Sequence, residues 1–483
     1  ATWYLEDGDI TVIANENGQS VKQGSNSAVA DSDTVITQRD SEKATDNTIT
    51  VSTTDDTTAN ITIEDVNINS YGDAIDVGSS GANITLEGDN KLNSEYGSGL
   101  HVSDGDVTIT GSGSLEAGSK NDSNNNAAIG SHENEAMSGD ITIGGDAQVT
   151  AVSRDDGAGI GSGDMGEMSG DITIGDNAQV TAWSETGGAG IGSGRESNMS
   201  GNITIGGSAQ VTAGSNSETA GIGSGNNGVF TSTGRVVIRD SAKVTAIGEN
   251  EGAGIGTGED ELMAGMIIIQ DNAQVTAIAG DRAAAIGSDN LDEMTGTIII
   301  IGNARVTTGI LDDDVYFDYN TKEIKYTLDE NATGYIGDSK YSNHESDEGH
   351  YIIGPDVTIN GISGSDIEAL KDYINMRLSG ENHDGEPENL TKLDVRSENG
   401  EFTVTAEGEG AVEKILYGGS ENVPTAPGTY PVTCVVRIGE ETIEFQIDTY
   451  VVPEPAPQPE PMAHHTRIQL YRVADKQGRS IAY

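Results

Sequence analysis

Residues 127–151 read AAIGSHENEAMSGDITIGGDAQVTA, and residues 158–182 read AGIGSGDMGEMSGDITIGDNAQVTA. One phrase recurs as far as Gly287: A-G-I-G-S-G, a polar stretch, G-D-I-T-I-G-G, then A-Q-V-T-A. Its marker isoleucines Ile129, Ile160, Ile191, Ile222, Ile255 and Ile286 stand 31, 31, 31, 33 and 31 residues apart. Weaker copies precede it at Ile75 (YGDAIDVG) and Leu100 (GSGLHVSDG), and one follows at Ile336 (ATGYIGDS). A fixed period of this length is the signature of a solenoid.

Each unit holds three segments that alternate with period two, the pattern of a strand with one buried face. In GDITIGG, Ile141 and Ile143 face one way and Thr142 the other; in AQVTA, Ala147, Val149 and Ala151 face in while Gln148 and Thr150 face out. The glycine-rich AGIGSG suits a crowded corner where backbones approach closely. Leucine-rich, ankyrin and tetratricopeptide units need helical or Leu-rich stretches, which are missing here, and propeller blades need four strands. Three strands per turn of about 31 residues therefore predict an all-β parallel β-helix solenoid. Turns stacked about 4.8 Å apart make a rod of roughly 40 Å. Polar loops such as HENEAMS are expected to bulge outward from it.

The composition fits that fold. The 483 residues carry 25 Lys+Arg against 79 Asp+Glu, a formal charge of −54, with 34% hydrophobic and 4% aromatic residues and 65 glycines. Such thin hydrophobicity with high charge otherwise signals disorder. Stacked turns resolve this, because narrow Ile and Val ladders bury efficiently while the loops carry charge into solvent. The charge excludes a nucleic-acid binder held by phosphate neutralisation. Cys434, the one cysteine, excludes an internal disulfide framework and a Cys-based zinc site; in PVTCVV it reads as a buried small hydrophobe. No run of 18 apolar residues spans a membrane. The chain begins at Ala1, as expected of a processed or excised piece.

Around the regular turns of 70–311 the language changes. Residues 1–69 repeat the strand pattern without its period and are expected to be a cap with the first irregular turns, Trp3 and Tyr4 plugging the end. Residues 312–354 hold an insert and the last turns, with Tyr316, Phe317, Tyr319, Tyr326, Tyr335, Tyr341 and Tyr351. These aromatics either cover the last turns or form a platform for sugar rings. The outward position of Thr108, Thr142, Thr173 and Thr204 becomes Val237, Ile268 and Ile299, an apolar stripe that the insert or the following domain should cover. Residues 355–453 predict a short helix over 365–380, with Ser365–Glu368 at capping-box spacing, and then a small Ig-like β-sandwich. A Pro-rich linker (454–461) follows, and 462–483 reads as the start of a further module.

Three features are candidates for binding. The column Thr150, Thr181, Thr212, Thr245, Thr276, Thr307 runs beside Gln148, Gln179, Gln210, Lys243, Gln274, Arg305. Such a row of hydroxyls and amides can bind a polysaccharide or order water, although Thr and Gln also suit stacked strands for their own sake. Trp183 is either a sugar contact or packing, since sister turns carry Val152, Gly214, Ile247 and Ile278 there. Asp312, Asp313, Asp314 and Asp318, and also Asp155–Asp156, are candidate calcium ligands or simply solubilising charge. Pectate-lyase-like catalysis needs acidic ligands beside a basic residue on one face, and the basic residues of the turns are scattered.

The order NITLEGDNKL, GSGLHVSDGDVTITGSGSLEA, then repeated AGIGSG…SGDITIGGDAQVTA resembles the carbohydrate-binding β-helix domains of clostridial surface proteins. PTAP followed by GTYPVTCVV is similar to a bacterial immunoglobulin-like adhesin module. The resemblance implies an extracellular, cell-surface role with binding of acidic or cellulosic polysaccharide, and it supplies no site residues; the exposed charge is expected to keep the rod monomeric. The alternatives are a structural stalk or protein-binding adhesin and, third, a polysaccharide lyase or hydrolase.

Overall fold

One turn supplies one strand to each of three parallel sheets. In the turn that starts at Ile129 these are Ile129–Gly130, Ile141–Ile143 and Gln148–Ser153. The computed structural model describes all residues except 55–56, 122, 260–261, 290–293, 313–314, 339–348, 371–372, 375–389, 399–400, 454–472, 475–479 and 482–483. Its sheets have 14, 11 and 13 strands, with rungs joined to the equivalent strand one turn away. The chain is a parallel β-helix.

The register is that of the repeat. Ile141 stacks on Ile172, then Ile203, Val236, Ile267 and Ile298. Val149 stacks on Val180, Val211, Val244, Val275 and Val306. These columns and the marker isoleucines form one continuous buried core. A one-residue slip would turn every column out to solvent, so the register is strongly specified.

At the corner strand the glycine is obligatory. Gly130, Gly161, Gly192, Gly223, Gly256 and Gly287 have φ between +136° and +147°, and a Cβ on each would lie 1.7–2.0 Å from the next turn's carbonyl oxygen. The polar loops, in contrast, do more than bulge outward. Met137, Met168, Met199, Phe230, Met263 and Met294 bridge from turn to turn and are fully buried. Each loop is thus pinned to the core by one large side chain, and unbranched Met fills such irregular space readily.

At the N-terminus Leu5 is fully buried and Trp3, half-buried, packs against the core, its indole N–H donating to Asp31 at 2.6 Å; the Tyr4 ring lies under the Arg39 guanidinium. At the other end Val357, Ile359, Leu370 and Ile374 close the core. Of the expected helix, Ile367–Leu370 is described. Asp366 caps it by accepting the Ala369 N–H at 3.2 Å, one residue beyond the expected Ser365.

The aromatic insert covers the flank. Its hairpin, Tyr316–Asp318 paired with Glu323–Lys325, sets Phe317 and Ile324 on Val152, Trp183, Ile247 and Ile278. The apolar stripe is covered by the C-terminal strands: Ile268, Ile299 and Ile352 share a core with Leu393, Val432, Cys434 and Phe445. Leu390–Glu398 pairs in parallel with His350–Ile353 and extends the rod's own sheet. Glu401–Gly408 completes a hairpin with it, and Gly410–Tyr417, Gly428–Ile438 and Glu441–Val452 form an antiparallel meander. Among the described residues this region is a hairpin grafted on the rod plus a three-stranded sheet, without the seven-strand Greek key of an immunoglobulin domain. Val473–Ala474 pairs with Ser480–Ile481. Among the described residues no helix is long and apolar enough to cross a membrane.

Candidate functional site

The Thr and Gln columns are in register on one outer face. Gln148, Gln179, Gln210, Lys243, Gln274 and Arg305 stack rung on rung, as do Thr150, Thr181, Thr212, Thr245, Thr276 and Thr307. The first column is exposed; the second is half-buried as far as Thr276 and exposed at Thr307. Alternation fixes this arrangement, since Val149 and Ala151 on either side of Thr150 point into the core. At about 4.8 Å per turn the six rungs span roughly 24 Å.

The next outward column, Val152, Trp183, Gly214, Ile247 and Ile278, borders that face, and the hairpin seals it. Trp183 is therefore not a sugar contact: it is fully buried. Gly214 makes room for it, because a Cβ there would meet the Trp183 ring at 3.1 Å and Ile324 at 3.2 Å. At the hairpin tip Lys322 pairs with Glu116 at 2.6 Å, which occupies the Thr150 column one turn earlier. The Arg154 guanidinium sits 4.5 Å from the Tyr319 ring centre.

Asp318 is committed to this same hairpin. Its Oδ1 accepts the N–H groups of Asn320 at 2.9 Å and Thr321 at 3.3 Å, and these bonds hold its carboxyl below the usual range. Asp312 precedes the hairpin, its N–H bonded to the Thr327 carbonyl; Asp313 and Asp314 lie outside the described residues. Asp155 and Asp156 belong to a different network. Asp156 pairs with Arg195 at 2.7 Å, and Arg195 also pairs with the fully buried Asp164 at 3.0 Å.

A second cluster, at the junction of irregular and regular turns, was not anticipated from the sequence. His101 takes the outward corner position that is Asp76 one turn earlier and Gly130 one turn later. Its Nδ1 lies 2.8 Å from Asp76 Oδ1 and its Nε2 lies 2.7 Å from Glu135 Oε2. The His132 ring stacks on it, with centroids 3.8 Å apart and planes within 4°. His132 Nε2 in turn lies 2.7 Å from Asp73 Oδ1. Burial opposes the charged form of His101, but the hydrogen bonds to Asp76 and Glu135 and the nearby Asp73 outweigh it and push its pKa to about 9. Burial would likewise raise Asp73, but the bond from His132 and the Ser98 N–H bring it below its ordinary value. One donor atom each from Asp73, His101 and His132 falls within 4.8 Å of the others, the arrangement among the described residues that could hold a metal ion.

Beside this cluster Tyr71 and Tyr96 stand on consecutive turns, 73% and 50% exposed, with ring centres 4.7 Å apart. The available signal was positional. Y-G precedes the marker residue at Tyr71 and Tyr96, and a histidine follows the marker at His101 and His132. No protein-family model, curated protein or solved structure matches the chain.

Proposed function

We propose that the chain is an extracellular bacterial surface rod that binds a hydroxyl-rich polysaccharide along its Thr/Gln face. The observation that carries this reading is the unbroken register of two polar columns, presented by a rigid core and bounded by the docked hairpin. Hydroxyl and amide groups both donate and accept, so they suit a chain of sugar hydroxyls, and their regular repeat suits a regular polymer. The overall charge of −54 repels polyanions, which favours a neutral, cellulosic ligand over an acidic one unless calcium bridges the two. Neutral polymers make the closer match.

The test is affinity electrophoresis of the full chain through gels carrying cellulosic, mixed-linkage or polyuronate polymers, with calcium and with chelator. Retention by a neutral polymer is expected, reduced at least tenfold in a Gln179→Ala/Gln210→Ala pair and in Thr181→Glu. Thr173→Glu, on an outward column of a different sheet, should leave retention unchanged. Absence of retention on every polymer, or equal retention by the face variants, refutes the proposal. A structural stalk is the second reading, favoured by the parallel pairing that builds the C-terminal strands onto the rod's own sheet.

A further inference from the structure

We infer that Asp73, Asp76, His101 and His132 bind one divalent transition-metal ion of the zinc class, with Glu135 holding His101 from its far side. This site is separate from the Thr/Gln face. Its donors come from three consecutive turns, so the strand register and the folded-back loop of His132 assemble it.

Three observations lead there. First, the donor set is two imidazoles and two carboxylates; calcium prefers an all-oxygen shell, whereas imidazole suits zinc and its neighbours. Second, the spacing is right. His101 Nδ1 stands 2.8 Å from Asp76 Oδ1 and 3.8 Å from Asp73 Oδ2, and His132 Nε2 stands 2.7 Å from Asp73 Oδ1. Donors around a tetrahedral ion with bonds of about 2.0–2.1 Å are roughly 3.3–3.4 Å apart, a spacing that these three distances bracket, and one donor atom each from Asp73, His101 and His132 lies within 4.8 Å of the others. Third, an outer shell is in place. Glu135 Oε2 engages His101 Nε2 at 2.7 Å and leaves Nδ1 toward the two aspartates, the carboxylate–histidine–metal arrangement. The Ser98 N–H holds Asp73 Oδ1 at 2.7 Å, and Gly97 leaves the room, since a Cβ there would fall 2.4 Å from that same oxygen.

The ring stack makes the inference specific. Two parallel rings cannot both aim an in-plane lone pair at one ion, so one ring must tilt when metal binds. His101 lies on a strand and is held at both nitrogens. His132 lies on a loop with its side chain 32% exposed, so it is the ring that moves. Metal binding should therefore break the stack.

The experiment titrates zinc chloride into the chelator-treated full chain by calorimetry, with His464→Gln/His465→Gln as background to remove the consecutive histidine pair of the C-terminal sequence. One-to-one binding is expected, accompanied by a shift of the His132 ring-proton resonances. His132→Ala should abolish it, and Glu135→Gln should weaken it by about 10–100-fold. Circular dichroism and the metal-free melting temperature report whether each variant folds. Should His132→Ala fail to fold, Asp76→Asn, at a half-buried position, is expected to weaken binding at least tenfold. No zinc binding by the wild-type chain overturns the inference, as does affinity unchanged in the folded variants.

Discussion

Replacing Gly192 by alanine tests the corner-glycine column directly. Gly192 has φ +142°, and a Cβ on it would lie 1.8 Å from the Gly223 carbonyl oxygen. The variant must hold a non-glycine residue in that region of φ, at about 1–3 kcal/mol, and also push two turns apart. Separation weakens the bonds from Ile191 N–H to Gly221 O at 3.1 Å and from Ser193 N–H to Gly223 O at 3.1 Å. At a net 0.5–1.5 kcal/mol each, the total loss is about 2–6 kcal/mol. Gly175→Ala is the matched control, because a Cβ there meets nothing within 4 Å; its effect should stay within about 1 kcal/mol. Urea unfolding followed by circular dichroism gives the midpoints. Hydrogen exchange over residues 188–225 shows whether the damage is local, as neighbour-only contacts in a solenoid require. Equal midpoints for the two variants, with unchanged exchange at Ile191 and Ile222, would refute the close-approach argument.

Other outcomes follow from the same geometry. Trp183→Ala should cost about 3–5 kcal/mol, chiefly as undocking of the hairpin, seen as protease cleavage between residues 312 and 328; an uncleaved hairpin contradicts the seal. In the metal-free chain His101 has a folded pKa of about 9 against an ordinary 6.5, so its protonation stabilises the fold. With Asp73, Asp76, Glu135 and His132 around it, that stabilisation, about 3 kcal/mol at most, is fully present near pH 6 and lost as pH rises through 9. Urea midpoints at pH 6 and 9.5 should differ in wild type, and the difference should shrink in His101→Gln. Burial pushes the Cys434 thiol up to about 12, so an exposed-thiol reagent at pH 8 should label it only after denaturation; rapid native labelling would contradict its place in the C-terminal core.

The columns were legible because they are one-dimensional. Ile141, Val149, Thr150 and Gln148 recur at a fixed spacing, and period-two alternation settles which of them face out. The methionine column escaped because Met137 and Met168 sit in polar loops where no strand pattern announces burial. Trp183 was ambiguous since its position faces outward in every turn, and only the hairpin, more than 130 residues later in the chain, decides that it is covered. The His101–His132 cluster was hidden for a related reason. Asp73 and His132 are 59 residues apart, and they meet only through the turn register and one folded-back loop. In the C-terminal region alternation identified strands but not partners, so Leu390–Glu398 read as part of a separate sandwich while it pairs with the rod.

The bonds that join the turns run along the axis of the rod, and this determines how it answers tension. A pull on the two ends loads those bonds head-on, one turn at a time, and does not slide long strands past each other. A turn such as that from Ile129 to Ile160 contains 31 residues, about 105 Å of extended chain, yet it occupies only about 4.8 Å of rod. Each turn that peels away under load lengthens the molecule some twentyfold over its folded rise, while the turns beyond it keep their register.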